Sequence, residues 1–254
     1  MNNGIAFISK GFGGPDRIFL SSGDINIGID GYFQYELFGH KLYFTTTHIA
    51  ILIVMLVLIA FAVIANRVIR KADPKEEPGP FLNFIEMIVE AVDNLTVSNM
   101  GDEHGLKFSN YIGTLFGFIF LANIAGLFGL RSPTADYGVT LSMALITFFM
   151  IHYNGFKYQK FGHITGLFEP IPLFFPINLI GEVATPISMS LRLFGNMLAG
   201  TAMMTVVYGL LPKVMTLFWP AALHAYFDVF SGAIQSYVFC MLTMVFISNN
   251  FNQE

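Results

Sequence analysis

Leu173 to Leu211 reads LFFPINLIGEVATPISMSLRLFGNMLAGTAMMTVVYGLL, and across these 39 residues only Glu182 and Arg192 are charged. A helix crosses bilayer hydrocarbon with about 20 apolar residues, so the stretch is nearly twice one span. It predicts a long membrane helix that is steeply tilted, bent, or partly in the membrane plane, with Pro176 and Pro186 as bend points. Arg192 sits near its middle. An arginine at the bilayer centre costs about 2.5–3.5 kcal/mol on insertion scales. It lies far from either end, which works against snorkelling. Glu182 is about 15 Å away along one helix, which makes direct pairing awkward. A charge held there is a functional residue by default.

The rest of the chain has the same character. Of 254 residues, 54% are hydrophobic and only 12% charged, with 28 Phe and 13 Met. The mean hydropathy is +0.62. A soluble domain carries about 25% charge, so this composition cannot cover a water-facing surface. The net charge of −4 excludes a polybasic nucleic-acid surface. The single cysteine, Cys240, excludes an internal disulfide framework and a Cys-based zinc site. In an apolar run it reads as a small hydrophobe. No metal site is expected.

Upstream, Thr45 to Ala65 forms one apolar span, ending in Asn66-Arg67 with Arg70-Lys71 behind it. Residues 72–80 form a charged, Pro-broken linker. Then Phe81, Phe84, Ile85, Ile88, Val89, Val92 and Leu95 recur at helical spacing, with Glu86, Glu90 and Asp93 on the other face. This predicts an amphipathic surface helix over about 80–96, started by Pro80. Two further spans, Tyr111 to Leu130 and Val139 to Tyr153, flank a tight turn, Arg131 to Asp136. A polar loop, Asn154 to Glu169, leads to the long stretch, helical over about 171–211. A last apolar stretch runs 217–248. Residues 1–44 read as a polar tail with turns and lack the pattern of a secretory signal. The expectation is an all-α polytopic membrane protein: about five membrane-crossing helices and one surface helix, the last two crossings long and steeply tilted. Residues 45–254 form its membrane domain.

Orientation follows from basic residues in short loops. Loops 66–108 and 154–169 hold Arg67, Arg70, Lys71, Lys75, Lys107, Lys157 and Lys160, against Arg131 and Lys213 in the opposite loops. The first set is therefore expected on the cytoplasmic side, with the N-terminal tail outside and the C-terminus cytoplasmic.

Polar groups on the long helix are not scattered. At 100° per residue, Glu182, Thr185, Ser188, Arg192, Asn196 and Gly200 fall within a stripe about 120° wide. Gly195, Ala199 and Gly200 are small and permit close approach of another helix. On the last helix His224, Asp228, Ser231 and Gln235 fall within about 60° by the same count. Packed core hydrogen bonds are the plainer reading of one such stripe. Two on consecutive long helices point to a hydrated path.

The stretch Ser190-Leu191-Arg192-Leu193-Phe194-Gly195-Asn196-Met197-Leu198-Ala199-Gly200 closely resembles the signature of subunit a of the F-type ATP synthase membrane sector. Glu182 to Ser188, Ser132 to Asp136, and Gln235 within Ala233 to Phe239 resemble it as well. The resemblance covers about residues 40–250. It implies a non-catalytic stator subunit in the cell (plasma) membrane, part of a complete F-type ATP synthase complex. Its implied partners are a ring of c subunits, peripheral-stalk b subunits and membrane lipid, with no nucleic acid. It implies two offset half-channels carrying H⁺ (or Na⁺) to and from a ring carboxylate, with no cofactor. Arg192 matches the family's essential arginine, with Asn196 and Gln235 at polar positions beside it. Where some members carry an acid or histidine after Ala-Gly, this chain has Thr201. The partner position on the last helix is Asp228, with His224 one turn away.

Elementary chemistry explains the arginine. A guanidinium stays protonated above pH 12 and cannot relay a proton itself. It lowers the pKa of a carboxylate brought beside it, so a ring carboxylate would release its ion near Arg192 and rebind one beyond. The alternative is a self-contained secondary transporter or ion channel. That needs its own shuttling carboxylate, for which Asp228 and Glu182 are the candidates.

Overall fold

The computed structural model describes residues 31–37, 40–72, 79–128, 130–160, 162–165, 168, 172–210, 223 and 225–251. Six main helices build the membrane domain: α1 Thr46–Lys71, α2 Pro80–Met100, α3 Asp102–Ile124, α4 Tyr137–Gln159, α5 Phe175–Leu210 and α6 Gly232–Ser248. The protein is an all-α polytopic membrane protein. α1, α3 with its 3₁₀ extension Ala125–Phe128, α4, and Ala225–Ser248 are each long and apolar enough to cross a membrane. The long helix α5 has 36 residues, about 54 Å at 1.5 Å per residue. That exceeds the roughly 30 Å of bilayer hydrocarbon.

Local chemistry sets the helix ends. α1 runs past Ala65 because Arg70 and Lys71 in its last turn complement the negative end of the helix dipole. Arg70 Nε also donates to Asn66 Oδ1 at 3.1 Å. α2 begins at Pro80 as expected and continues to Met100. α3 starts well before Tyr111, with Asp102 and Glu103 in its first turn, where acidic groups favour a helix N-terminus. Gly101, at φ 78°, makes the corner between α2 and α3. A Cβ on Gly105 would lie 2.6 Å from Val97 Cα, so glycine permits these two helices to meet backbone to backbone. α4 is capped by Asp136, which accepts from Gly138 N at 3.0 Å. Within α5, Pro176 falls in the first turn, where its missing N–H is harmless, and Pro186 lies inside the helix.

Two details depart from the periodicity reading. The tail contains an antiparallel hairpin, β1 Gly31–Leu37 paired with β2 His40–Thr45, before α1 begins. The alternation Phe33, Tyr35, Leu37 carries its period of two. Asp93 accepts a hydrogen bond from Ser109 Oγ on α3, so it faces a neighbouring helix, whereas Glu86 and Glu90 are exposed.

The core lies where α3, α4, α5 and α6 meet, around Ile112, Ile119, Ala144, Leu193, Phe239, Cys240, Met244 and Ile247. Cys240 is fully buried, as its apolar setting suggested.

Candidate functional site

The N-terminal half of α5 and the C-terminal half of α6 enclose an open groove of about 210 Å³. Its α5 wall is Gly181, Ala184, Thr185, Ser188, Met189 and Arg192, faced by Leu242 and Phe246 of α6. The spacing three, four, four from Thr185 through Ser188 and Arg192 to Asn196 keeps these side chains on one side of α5. The structure brings Thr185, Ser188 and Arg192 to one groove, as their stripe predicted. Arg192 is exposed, while its neighbours Leu193 and Met189 are buried in the core. It makes no ion pair with any described residue. Its guanidinium is thus turned outward from an apolar helix, with no counter-charge at ion-pair distance among the described residues.

Glu182 is engaged elsewhere. Its Oε2 lies 3.8 Å from His152 Nε2, near the end of α4. His152 belongs to none of the polar stripes in the sequence. The available signal was the one applied to Arg192: an ionisable residue within an apolar span is a functional candidate by default.

One helical turn beyond Arg192, Asn196 Oδ1 accepts from Ser231 Oγ at 3.0 Å. This bond ties α5 to the segment before α6, so two residues of the separate stripes do meet. Asp228 is buried at 8% exposure. A Cβ built on Gly126 would sit 3.3 Å from its Oδ2, so the carboxylate lies against the 3₁₀ turn after α3. Gln235 is also buried, and its Nε2 has no hydrogen-bond partner among the described residues. His224 lies outside the described residues.

The segment Ala225–Ser231 is π-helical. Its hydrogen bonds run i→i+5, so each residue turns through less than the 100° of an α-helix. Asp228 abuts the turn after α3, Ser231 faces Asn196 on α5, and Gln235 is buried.

A buried polar knot adjoins this region. Thr134 Oγ1 donates to Asn123 Oδ1 at 2.6 Å, and Asn123 Nδ2 donates to Gly232 O at 3.1 Å. Ser132 Oγ donates to Ala122 O at 2.8 Å. These bonds explain why the turn at 132–136 contains Ser132 and Thr134: it fastens α3 to the start of α6. A Cβ on Gly232 would lie 2.8 Å from Asn123 Cβ, so the approach also needs that glycine. Among the described residues no group of three or more His, Cys, Asp or Glu is placed to hold a metal ion.

The groove gives one direct expectation. Cysteines at Glu182, Thr185 and Ser188, in a Cys240→Ser background, should react with a small polar thiol reagent added on one side of the membrane, the cytoplasmic side. Reaction solely from the opposite side, or at none of the three, would remove this groove as a water path.

Residues 48–248 match the family model described as ATP synthase A chain. The chain is 44% identical over 184 residues to the sodium ion specific ATP synthase subunit a of Propionigenium modestum, covering 66% of this chain and 62% of that protein. It is 34% identical over 223 residues to ATP synthase subunit a of Listeria welshimeri, covering 80% and 92%. It is 36% identical over 199 residues to ATP synthase subunit a of Desulforamulus reducens, covering 76% and 74%.

Proposed function

Because the chain belongs to the ATP synthase A chain family, we propose that it is the stator subunit against which a ring of c subunits turns in an F-type ATP synthase. The observation that carries the reading is Arg192, an exposed cation on an apolar helix without an ion pair among the described residues. The charge it awaits is a ring carboxylate.

A ring site would arrive with its ion bound and meet Arg192. The guanidinium stabilises the ionised carboxylate and displaces the ion. The freed ion leaves through the groove of Thr185 and Ser188 to the cytoplasm. On the other side Asp228, assisted by Asn196, Ser231, Gln235 and His224, passes a new ion from outside. Arg192 keeps its proton and repels cations, so it separates the two paths. Flow between them requires the ring to turn. The chain itself performs no covalent chemistry, and b subunits hold it against rotation.

The rival self-contained transporter needs an internal carboxylate that can reach Arg192. Glu182 lies beside His152 and Asp228 beside Gly126, which favours an acceptor on a partner. The sodium-specific relative makes Na⁺ a real alternative to H⁺ as the ion. Both points are tested in proteoliposomes. The purified chain alone should not conduct ions. The complete complex should pump on ATP addition, and ATPase activity at fixed pH should rise with Na⁺ only if the ion is Na⁺. Ion conduction by the chain alone would overturn the stator reading.

A further inference from the structure

Two neighbouring residues of the last membrane segment are held by different helices. Ser231, the last residue of the π-helical turn, donates to Asn196 on α5 at 3.0 Å. Gly232, the first residue of α6, accepts through its carbonyl from Asn123 on α3 at 3.1 Å. The first contact belongs to the outer path. The second has had no part in it.

The Asn123 amide can sit only one way round. Gly232 O accepts and cannot donate, so the Asn123 atom facing it is the nitrogen. The oxygen then takes the Thr134 hydroxyl at 2.6 Å. Asn123 is fully buried, so losing either partner strands a polar atom away from water. Ser236 Oγ also reaches Gly232 O, at 2.7 Å, but from within α6, so that bond ties α6 to nothing else.

The contact continues along both segments. Gly126 follows Asn123 by three residues, and Asp228 precedes Gly232 by four. Asn123 meets Gly232 and Gly126 meets Asp228, so the two antiparallel segments touch at two points about one helical turn apart. A Cβ on Gly232 would already crowd Asn123 Cβ at 2.8 Å, so the junction has no room to move closer to α3. π-helix occurs mostly as single turns within α-helices. It relaxes to α-helix by moving its boundary one residue, which rotates the side chains before the boundary relative to those after it. Holding Gly232 therefore fixes the direction of Ser231 and Asp228.

We propose that Asn123 is a positioning residue for the outer path: by holding Gly232 it fixes the boundary between the π-helical turn and α6, and so keeps Ser231 on Asn196 and Asp228 on Gly126. This role rests on the stator reading, since Ser231 and Asp228 matter to transport only if the outer path runs past them.

Disulfide cross-linking reads the geometry without coupled activity, in the complete complex in membrane vesicles. In an Asn196→Cys, Ser231→Cys, Cys240→Ser chain the thiols replace groups 3.0 Å apart. They should oxidise readily with copper phenanthroline, and mass spectrometry of the digested chain reads the joined peptides. Adding Asn123→Leu, which keeps the volume and removes the donor, should slow cross-linking about tenfold, the shift that one buried hydrogen bond supports. Gly232→Ala, which drives a methyl into Asn123 and removes no polar group, should slow it as well. Ser236→Ala, which removes only the bond within α6, should change the rate by less than about twofold. With Asn196, Ser231 and Cys240 native, Asn123→Leu should slow ion transport about tenfold. An unchanged cross-linking rate in Asn123→Leu or Gly232→Ala overturns the proposal, and so does an equal loss in Ser236→Ala. Normal transport in Asp228→Asn would instead overturn the outer path and leave the geometry of the junction standing.

Discussion

Replacement of Arg192 by alanine is expected to abolish ion-driven ATP synthesis and ATP-driven pumping while the chain still inserts and the complex still assembles. Insertion should not suffer, because the exposed side chain contributes a cost of about 2.5–3.5 kcal/mol rather than packing. Leu193 and Met189, which hold α5 to the core, are untouched. The loss falls on the ring carboxylate. Without the guanidinium it must pass α5 either charged and unpaired or still neutral with its ion. Stranding a buried charge costs about 3–5 kcal/mol, which is about a hundred- to several-thousandfold in rate. Neutral passage is faster but carries no obligatory torque and appears as passive leak. Arg192→Lys should also fail largely, since a buried ammonium sheds its proton readily and lacks the planar fork. ATP synthesis and proton or sodium uptake in vesicles bearing the assembled variants measure both outcomes. Normal synthesis with alanine at 192 would defeat the mechanism as a whole.

The second large effect is expected at Asp228. Its carboxylate is buried against the turn that contains Gly126. A positioned proton-transferring group contributes about 10²–10⁴-fold. With Asn196 and Gln235 still present to hold water, Asp228→Ala should slow transport by about the lower of these factors. Asp228→Asn separates charge from shape: it keeps the volume against Gly126 and removes ionisation, and it should be as slow as alanine. Thr201→Glu, placed on α5 beside Gly200 where that helix approaches Phe227, should restore part of the rate to Asp228→Ala. Transport at the normal rate in Asp228→Asn would make Asp228 a packing residue and remove the outer path as drawn.

The membrane class and most helices were legible because hydropathy depends on local composition. Twenty apolar residues in a row leave the backbone few alternatives. The α5 stripe was legible for a related reason: one uninterrupted helix preserves its 3.6-residue period, so Thr185, Ser188 and Arg192 could be placed together by counting. The π-helical turn at Ala225–Ser231 changes the angle per residue, and nothing in AYFDVFS announces it. His152 was hidden by its distance from any motif. Its meaning comes from Glu182, thirty residues later and on another helix. The hairpin of residues 31–45 was hidden by the Gly and Asp residues around it, which read as turns. Contacts between distant elements are set by packing, and periodicity carries no information on packing partners.

The knot around Asn123 has a consequence for how the protein is made. Its amide donates to Gly232 O and Ser236 Oγ, acceptors 109 and 113 residues later in the chain. A ribosome adding about 5–20 residues per second needs roughly 5–20 s to produce them. During that interval α3 is already synthesised, and the turn with Thr134 can satisfy Asn123's oxygen but not its nitrogen. A buried amide without a partner costs several kcal/mol in hydrocarbon. The nascent chain therefore has reason to keep α3 near water, or near the insertion machinery, until α6 emerges. A helix translated more than a hundred residues later is the one that allows an early helix to settle in lipid, so the early span is completed by a late one.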